Sequence, residues 1–159
     1  MRALIQRVLT ASVSVEHSLI NEIGKGILIF LGVKIGDTES DAEYLAYRCA
    51  HLRIFNDRNE KMNFSVRDTN GSALVISQFT LYGDTRRGHR PGYTEAATPI
   101  LAEQLYLHFI ATLKNEIGEP NVKTGVFRAM MEIALINDGP VTLLIESKEK
   151  EGQFLHRST

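Results

Sequence analysis

The chain has 159 residues, of which 43% are hydrophobic and 23% charged, and its formal net charge is -1. This length corresponds to one domain with a sizeable core, and the balanced charge excludes a uniformly basic nucleic-acid binder and a disordered chain. A single cysteine, Cys49, excludes an internal disulfide, and no apolar run reaches the ~18 residues of a membrane span. No signal peptide is evident, so we expect a cytoplasmic protein without a membrane segment.

The first third of the chain predicts strands. Residues 1–10 alternate in polarity, with Leu4 and Val8 on one face, and Val13 resumes the alternation after a break at residues 10–12, which indicates a hairpin. Residues 27–33 are apolar on both faces. Such a run is typical of a strand in the middle of a sheet.

An amphipathic helix is predicted next. Ser40 and Glu43 have the spacing of a capping box, and apolar residues follow at helical intervals at Ala42, Leu45, Ala46, Cys49 and Leu52. Because Cys49 lies on this apolar stripe, it is interpreted as a buried, unreactive thiol and not as a nucleophile. Residues 61–66 then predict a short hairpin strand.

The stretch at residues 73–81 begins as a buried strand and ends in polar groups. Residues 73–76 are apolar, and Ser77, Gln78, Phe79 and Thr80 follow. If the strand continued, its period of two would place Ser77 and Phe79 on one face and Gln78 and Thr80 on the other. These side chains either line a pocket or belong to a strand that leaves the core and becomes solvated.

The next loop is locally cationic. Arg86, Arg87 and Arg90 stand against the single acidic residue Asp84. The loop therefore either contacts phosphate groups beside the polar strand end or is simply solvated.

The remaining chain predicts a second helix and two further strands. Thr98 and Pro99 are N-cap and first-turn residues, and an apolar stripe runs from Leu101 to Ile117. Residues 130–136 and 141–146 predict antiparallel strands joined by a tight connection. Gly139-Pro140 in that connection is either an ordinary turn or a cis bond, which costs only about 0.5–1 kcal/mol before proline. We predict one domain over residues 1–147 and a charged, mobile tail over residues 148–159.

Several chemistry-bearing motifs are missing from the sequence. No His or Cys pair has metal-ligand spacing, no Gly-rich loop follows a strand, and no Gly-x-Ser-x-Gly elbow occurs. We therefore expect no metal and no nucleotide cofactor, and serine-hydrolase chemistry is disfavoured.

Two motifs together resemble the D-aminoacyl-tRNA deacylases. They are Ser77-Gln78-Phe79-Thr80-Leu81 and Asn137-Asp138-Gly139-Pro140-Val141-Thr142, supported by residues 5–8 and 53–55. The resemblance covers residues 1–146. It implies an α/β fold, with a mixed, mainly antiparallel, barrel-like curved sheet, two helices packed on it, and a homodimer.

The resemblance also implies an activity and roles for single residues. The activity is hydrolysis of the ester that joins a D-amino acid to the 3' end of tRNA. Residues 77–80 would line the pocket, a cis Gly139-Pro140 bond would reach into the partner subunit's pocket to exclude L-amino acids, and Arg7 would brace that motif. Mischarged glycyl-tRNA is a further possible substrate.

The mechanism is left open between two routes. Water, assisted by the ribose 2'-hydroxyl, attacks the ester while the Thr80 hydroxyl and a backbone N–H near Phe79 stabilise the oxyanion, or Thr80 forms an acyl-enzyme. Two other functions compete with the deacylase hypothesis. One is a nucleic-acid-binding dimer without catalysis, and the other is a hydrolase of small esters or amides with Thr80 or Ser77 as nucleophile.

Overall fold

The computed structural model describes residues 1–86 and 88–147. Arg87, a predicted phosphate contact, and residues 148–159, the predicted tail, lie outside the described residues. The helices are α1 (Glu39–His51) and α2 (Pro99–Ile117), with 3-10 turns at Phe79–Tyr82 and Glu119–Asn121. The strands are β1 (Arg2–Val15), β2 (Ser18–Ile23), β3 (Gly26–Gly32), β4 (Phe55–Asn56), β5 (Met62–Phe64), β6 (Ser72–Ser77), β7 (Val122–Thr124) and β8 (Met131–Glu146).

One curved sheet organises the chain. Its order is β2-β1-β3-β6-β7, and β8 pairs with the other edge of β1. The pairs of β1 are antiparallel, whereas β3, β6 and β7 run parallel. The Asn21 side-chain amide donates to the Thr124 carbonyl at 2.6 Å, which links β2 to β7 and brings the two ends of the sheet together. The predicted mixed, mainly antiparallel, barrel-like sheet with two helices is confirmed.

The two faces of this sheet pack against different apolar cores. On the outer face, Ile5, Ile29 and Val75 pack against α1 and α2. On the inner face of the curve, Leu28 and Leu74 belong to a second buried cluster. This arrangement explains why β3 and the start of β6 are apolar on both faces.

Cys49 lies in the outer core, as predicted. It is 1% exposed, and burial raises the pKa of its thiol. A thiol that stays protonated is a poor nucleophile, so the interpretation of Cys49 as a packing residue is confirmed.

Both helices begin at a recognisable cap, but the predicted cap of α1 was wrong by two residues. The N-cap is Thr38, whose backbone N–H donates to the Asp41 carboxylate at 2.8 Å. Asp41 at the third helical position therefore does what Glu43 was expected to do. Helix α2 begins after Thr98 with Pro99 in its first turn, as predicted, and its C-cap is Gly118.

The predicted break at residues 10–12 was wrong, because β1 is continuous from Arg2 to Val15. Ala11 and Ser12 pair with β2 on one edge and with β8 on the other, so their backbone groups are satisfied within the ladder. The hairpin turn falls later, at Glu16 and His17, which have φ angles of 49° and 63°.

The prediction of two strands joined by a tight turn near residue 138 was also wrong. Both segments belong to the single strand β8, and both pair with β1, Leu143 with Ile5 and Leu135 with Ala11. The register shifts between Gln6 and Val8, where β8 has extra residues opposite Arg7. The polar segment around Gly139-Pro140 is therefore a bulge within a long strand.

Neither of the two helices in the described part of the chain has the length and apolar character needed to cross a membrane.

Candidate active site

The polar end of β6 turns away from the sheet. Strand β6 ends at Ser77, and Phe79–Tyr82 forms a 3-10 turn, so the predicted alternation of side chains beyond Ser77 was wrong. The Gln78 N–H still donates to the Leu31 carbonyl at 2.8 Å, and the chain then turns. Gly32 makes this turn possible, because a Cβ atom there would stand 3.1 Å from both the Gln78 carbonyl oxygen and the Leu81 Cβ.

A cavity of about 410 Å³ lies at this strand end. Ser77, Gln78, Phe79 and Thr80 all contribute to its wall. Ser77 and Gln78 are half-buried, while Phe79 and Thr80 are exposed. The structure thus brings the four residues to one concave surface, and their part in catalysis stays a prediction. The other lining residues are mainly apolar: Leu31, Val33, Ile76, Ala97, Ala102, Tyr106, Phe127, Arg128, Ala129, Met130, Met131 and Ile133.

The polar groups of the cavity are arranged around Thr80. The Gln78 side-chain amide donates to the Thr80 hydroxyl oxygen, so the hydroxyl hydrogen is left to point elsewhere. The Phe79 and Thr80 N–H groups lie in the first turn of the 3-10 element, where helical geometry supplies no partner. Among the described lining residues there is no His, Cys, Asp, Glu or Lys. The cavity therefore offers hydrogen-bond donors but no side chain suited to act as a general base.

Residues 127–131, in the segment 125–131, form another part of the cavity wall, and of these only residues 130 and 131 belonged to a predicted element. The Gly125 N–H donates to the Val75 carbonyl at 3.1 Å, which ties the segment to β6. A Cβ atom at Gly125 would stand 2.6 Å from the Met131 sulfur and 3.0 Å from the Ile76 Cδ1, so a larger residue there would require these two side chains to shift. One signal was available, since an irregular connection between two elements is where binding residues concentrate.

The bulge in β8 is supported by the buried side chain of Arg7, which contacts Asp138. The Gly139-Pro140 bond is cis, as the resemblance implies. Arg7 is 6% exposed, and its guanidinium donates to the carbonyls of Ile54 and Asp138 and pairs with the Asp138 carboxylate at 2.9 Å. Gly139 and Pro140 themselves are exposed. Neither they nor Arg7 line the cavity formed by the described residues of the same chain.

The cationic loop is less available for phosphate than its composition suggested. Arg86 donates two hydrogen bonds to the Asp84 carboxylate, both at 2.8 Å. These bonds are the main reason that the pKa of Asp84 is lowered to about 2. Arg90 is exposed. The loop contacts the cavity wall through Tyr93, whose ring packs edge-on against the Phe79 ring with 5.0 Å between the ring centroids.

Comparison with known proteins agrees with the sequence motifs. The family described as D-Tyr-tRNA(Tyr) deacylase matches residues 4–146 of the chain. The chain belongs to this family. A D-aminoacyl-tRNA deacylase of Thermomicrobium roseum is 53% identical over 155 residues, which cover 98% of this chain and 99% of the relative. One of Koribacter versatilis is 51% identical over 150 residues, which cover 94% and 99%.

Solved structures give the same fold. The c-Myc DNA Unwinding Element Binding Protein has a TM-score of 0.88 at 36% identity, over 92% of this chain and 98% of that one. A probable eukaryotic D-amino acid tRNA deacylase has a TM-score of 0.78 at 14% identity, over 91% and 98%, and this likeness concerns the fold alone.

In this member of the deacylase family, the predicted site residues form two separate groups. Ser77, Gln78, Phe79 and Thr80 share the cavity, whereas Arg7 supports the bulge that carries Gly139-Pro140. Phe127, Arg128, Met130 and Met131 also line the cavity, although no motif in the sequence marks them as cavity residues.

Proposed function

We propose that this protein is a hydrolase that cleaves the ester of D-aminoacyl-tRNA and releases the free D-amino acid and tRNA. The observation that carries this proposal is the family match over residues 4–146. Relatives named D-aminoacyl-tRNA deacylase, more than 50% identical across nearly the whole chain, support it. The activity removes D-amino acids from tRNA before translation, a chiral proofreading step in quality control, and we expect it in the cytoplasm, where aminoacyl-tRNA is used.

The cavity supplies what this reaction needs. Its volume of about 410 Å³ suits a ligand of nucleoside size, and most of its lining is apolar. An aminoacyl ester is already activated, so positioned water and a stabilised oxyanion suffice. The Thr80 hydroxyl and the Phe79 N–H are our candidates for the oxyanion donors, and Gln78 orients that hydroxyl.

Attack by water is favoured over a Thr80 acyl-enzyme. A threonine nucleophile needs a base to take its proton. Thr80 instead accepts a hydrogen bond from the Gln78 amide, and the described cavity wall contains no His or carboxylate. We therefore propose that the ribose 2'-hydroxyl of the substrate assists the water. Failure to trap a covalent acyl-enzyme supports this route, whereas a trapped ester on Thr80 contradicts it.

Selection against L-amino acids is proposed to act between subunits. Gly139 and Pro140 are exposed and rigidly supported, yet they line no described cavity of their own chain. Strand β8 pairs only with β1 among the described strands, and Leu143 and Leu144 are 39% and 53% exposed on it. An unpaired edge with exposed leucines favours contact with a second copy. In that homodimer each Gly139-Pro140 would enter the partner subunit's cavity, hold the substrate amino group and exclude an L side chain.

The activity is tested with purified protein and matched D- and L-tyrosyl-tRNA. We expect hydrolysis of the D form and little action on the L form. Glycyl-tRNA, which lacks a side chain to exclude, should also be cleaved. Comparable rates on D and L substrates would contradict chiral proofreading.

The shared site is tested by mixing subunits. One subunit carries Thr80→Trp, which blocks its cavity, and the other carries Gly139→Ala and Pro140→Ala, which remove its selector. The first homodimer should be inactive and the second unselective. In the purified heterodimer the open cavity receives an intact selector from the blocked subunit, so preference for D substrates should return at about half the site number. A heterodimer that still hydrolyses L-tyrosyl-tRNA would show that each chain uses its own selector.

Nucleic-acid binding without catalysis is the second candidate. The structure with a TM-score of 0.88 and 36% identity is that of a protein named for binding a DNA unwinding element. Arg86, Arg87 and Arg90 would then meet phosphates. Deacylation by the purified protein separates the two candidates, because a pure binding protein leaves the ester intact.

A further inference from the structure

Arg128 occupies a backbone position that ordinarily belongs to glycine. Its φ angle is +64°, and the Ala129 N–H donates to the Val126 carbonyl at 3.2 Å to close a turn in which Arg128 is the third residue. A positive φ at the third position is the mark of a type II turn, where Gly or Asn is favoured. A long side chain kept in this conformation costs folding free energy, and such positions concentrate at functional sites.

No contact within residues 1–86 and 88–147 explains the presence of the Arg128 side chain at this position. Within the described part of the chain, it forms no hydrogen bond and no ion pair, and it is exposed. It is also the one charged side chain among the described residues that line the cavity. An exposed guanidinium that lines a mostly apolar cavity and has no partner among the described residues is suited to an anion, and phosphate matches its planar array of donors.

We propose that Arg128 binds the phosphate that immediately precedes the terminal adenosine of the substrate. The proposal rests on the proposed function, which places that nucleoside in the cavity. The 5'-phosphate of a nucleoside held there continues into the rest of the tRNA and must therefore lie where the cavity is open to solvent, and Arg128 is an exposed residue of the cavity wall. Arg86 is a poorer candidate for this contact, because Asp84 already holds its guanidinium at 2.8 Å.

The test compares adenosine with adenosine 5'-phosphate as ligands of the full chain. The wild type should bind the phosphate-bearing ligand about tenfold more tightly, which corresponds to about 1.4 kcal/mol, because a hydrogen bond to a charged group is stronger than one to a neutral group. Arg128→Gly keeps a residue suited to the positive φ, so folding is preserved, and it should reduce the ratio to about one. Arg128→Lys should keep part of the preference, and the matched control Arg86→Ala should keep all of it.

The same variants are then measured with D-tyrosyl-tRNA. Arg128→Gly should raise KM with little change in kcat and should lower the log-log salt slope of binding by about 0.7, the value for one single-strand phosphate. A nucleotide preference that survives in Arg128→Gly overturns the proposal, and so does an equal loss of affinity for both ligands. If the preference depends on Arg128 but no ester is hydrolysed, the phosphate site stands and the proposed deacylase function fails.

Discussion

The end of β6 and the bulge in β8 are two polar breaks in the same sheet, but they are built differently. At the end of β6, residues 77–80 line a cavity of about 410 Å³, and Thr80 is exposed to it. At the bulge, Gly139 and Pro140 face outward, and the support comes from the buried Arg7. The end of β6 therefore faces a cavity of its own chain. The bulge in β8 is supported by Arg7 but faces no described cavity of its own chain. The difference favours a site completed by a second copy.

Thr80→Val tests the chemical side of this comparison and should have the largest effect. Loss of one oxyanion donor typically lowers kcat by about 10² to 10³. Because Thr80 is exposed and its bond to Gln78 is local, the free energy of unfolding should hardly change. Single-turnover hydrolysis of D-tyrosyl-tRNA measures the rate, and Thr80→Ser is the matched control. Unchanged kcat in Thr80→Val would leave the backbone N–H groups as the only candidate donors.

Arg7→Ala tests the structural side and should show the reverse pattern. Its removal leaves the buried Ile54 carbonyl and the partly buried Asp138 carbonyl without their donor, at a cost of about 2–3 kcal/mol in the free energy of unfolding. Urea denaturation measures this loss. The bulge should also lose its geometry, so hydrolysis of L-tyrosyl-tRNA should rise.

Arg86→Ala is the control for Arg7→Ala, because its side chain is 82% exposed and should leave the unfolding midpoint unchanged. An Arg7→Ala protein as stable and as selective as the wild type would show that the bulge holds its shape without a brace.

Gly125→Ala tests how closely the segment at residues 125–131 packs at the cavity wall. The new methyl group would meet the Met131 sulfur at 2.6 Å and Ile76 at 3.0 Å. Both contacts are with the ends of flexible side chains, so the cost should be near the lower end of the overpacking range, about 1 kcal/mol, and displacement of the Met131 side chain should raise KM. Denaturation and steady-state kinetics measure the two effects. Gly36→Ala is not a matched control because of its positive φ, whereas Gly92→Ala has open space around its Cβ position and is suitable.

The smallest effect is expected for the Asp84 and Arg86 pair in the cationic loop. The hydrogen bond from Arg86 lowers the pKa of Asp84 to about 2, so the stabilisation that the pair contributes is complete above about 3.8 and is lost as the pH falls through about 2. The carboxyl carbon of Asp84, followed by NMR, should titrate in that window. In Arg86→Ala its pKa should move back up toward 3.8. An unchanged titration would mean that Arg86 is not held by Asp84 in solution and is free to meet phosphate.

The local signals in the sequence determined most of the elements. Apolar runs on both faces identified β3 and the start of β6, and helical spacing with Thr98-Pro99 identified α2. The two motifs around residues 77–81 and 137–142 identified the family, because motif recognition needs residue identities and not their placement. These predictions were correct because each signal lies within a single helix, strand or motif.

The tertiary structure decided what depended on distant parts of the chain. Strand β8 is continuous because β1 pairs with both of its halves, which no local turn signal in residues 137–140 could reveal. The position of residues 125–131, part of which lines the cavity, depends on the hydrogen bond from the Gly125 N–H to the Val75 carbonyl. The sequence suggested that Arg86 is available for phosphate, but its guanidinium is hydrogen-bonded to Asp84. Arg128 became a candidate only through its φ angle and its place in the cavity wall. Contacts between residues far apart in sequence leave no periodic trace, so the continuity of β8 and the position of residues 125–131 could not be predicted. The contact between Arg86 and Asp84 spans only two residues, but it depends on side-chain geometry, which composition does not give.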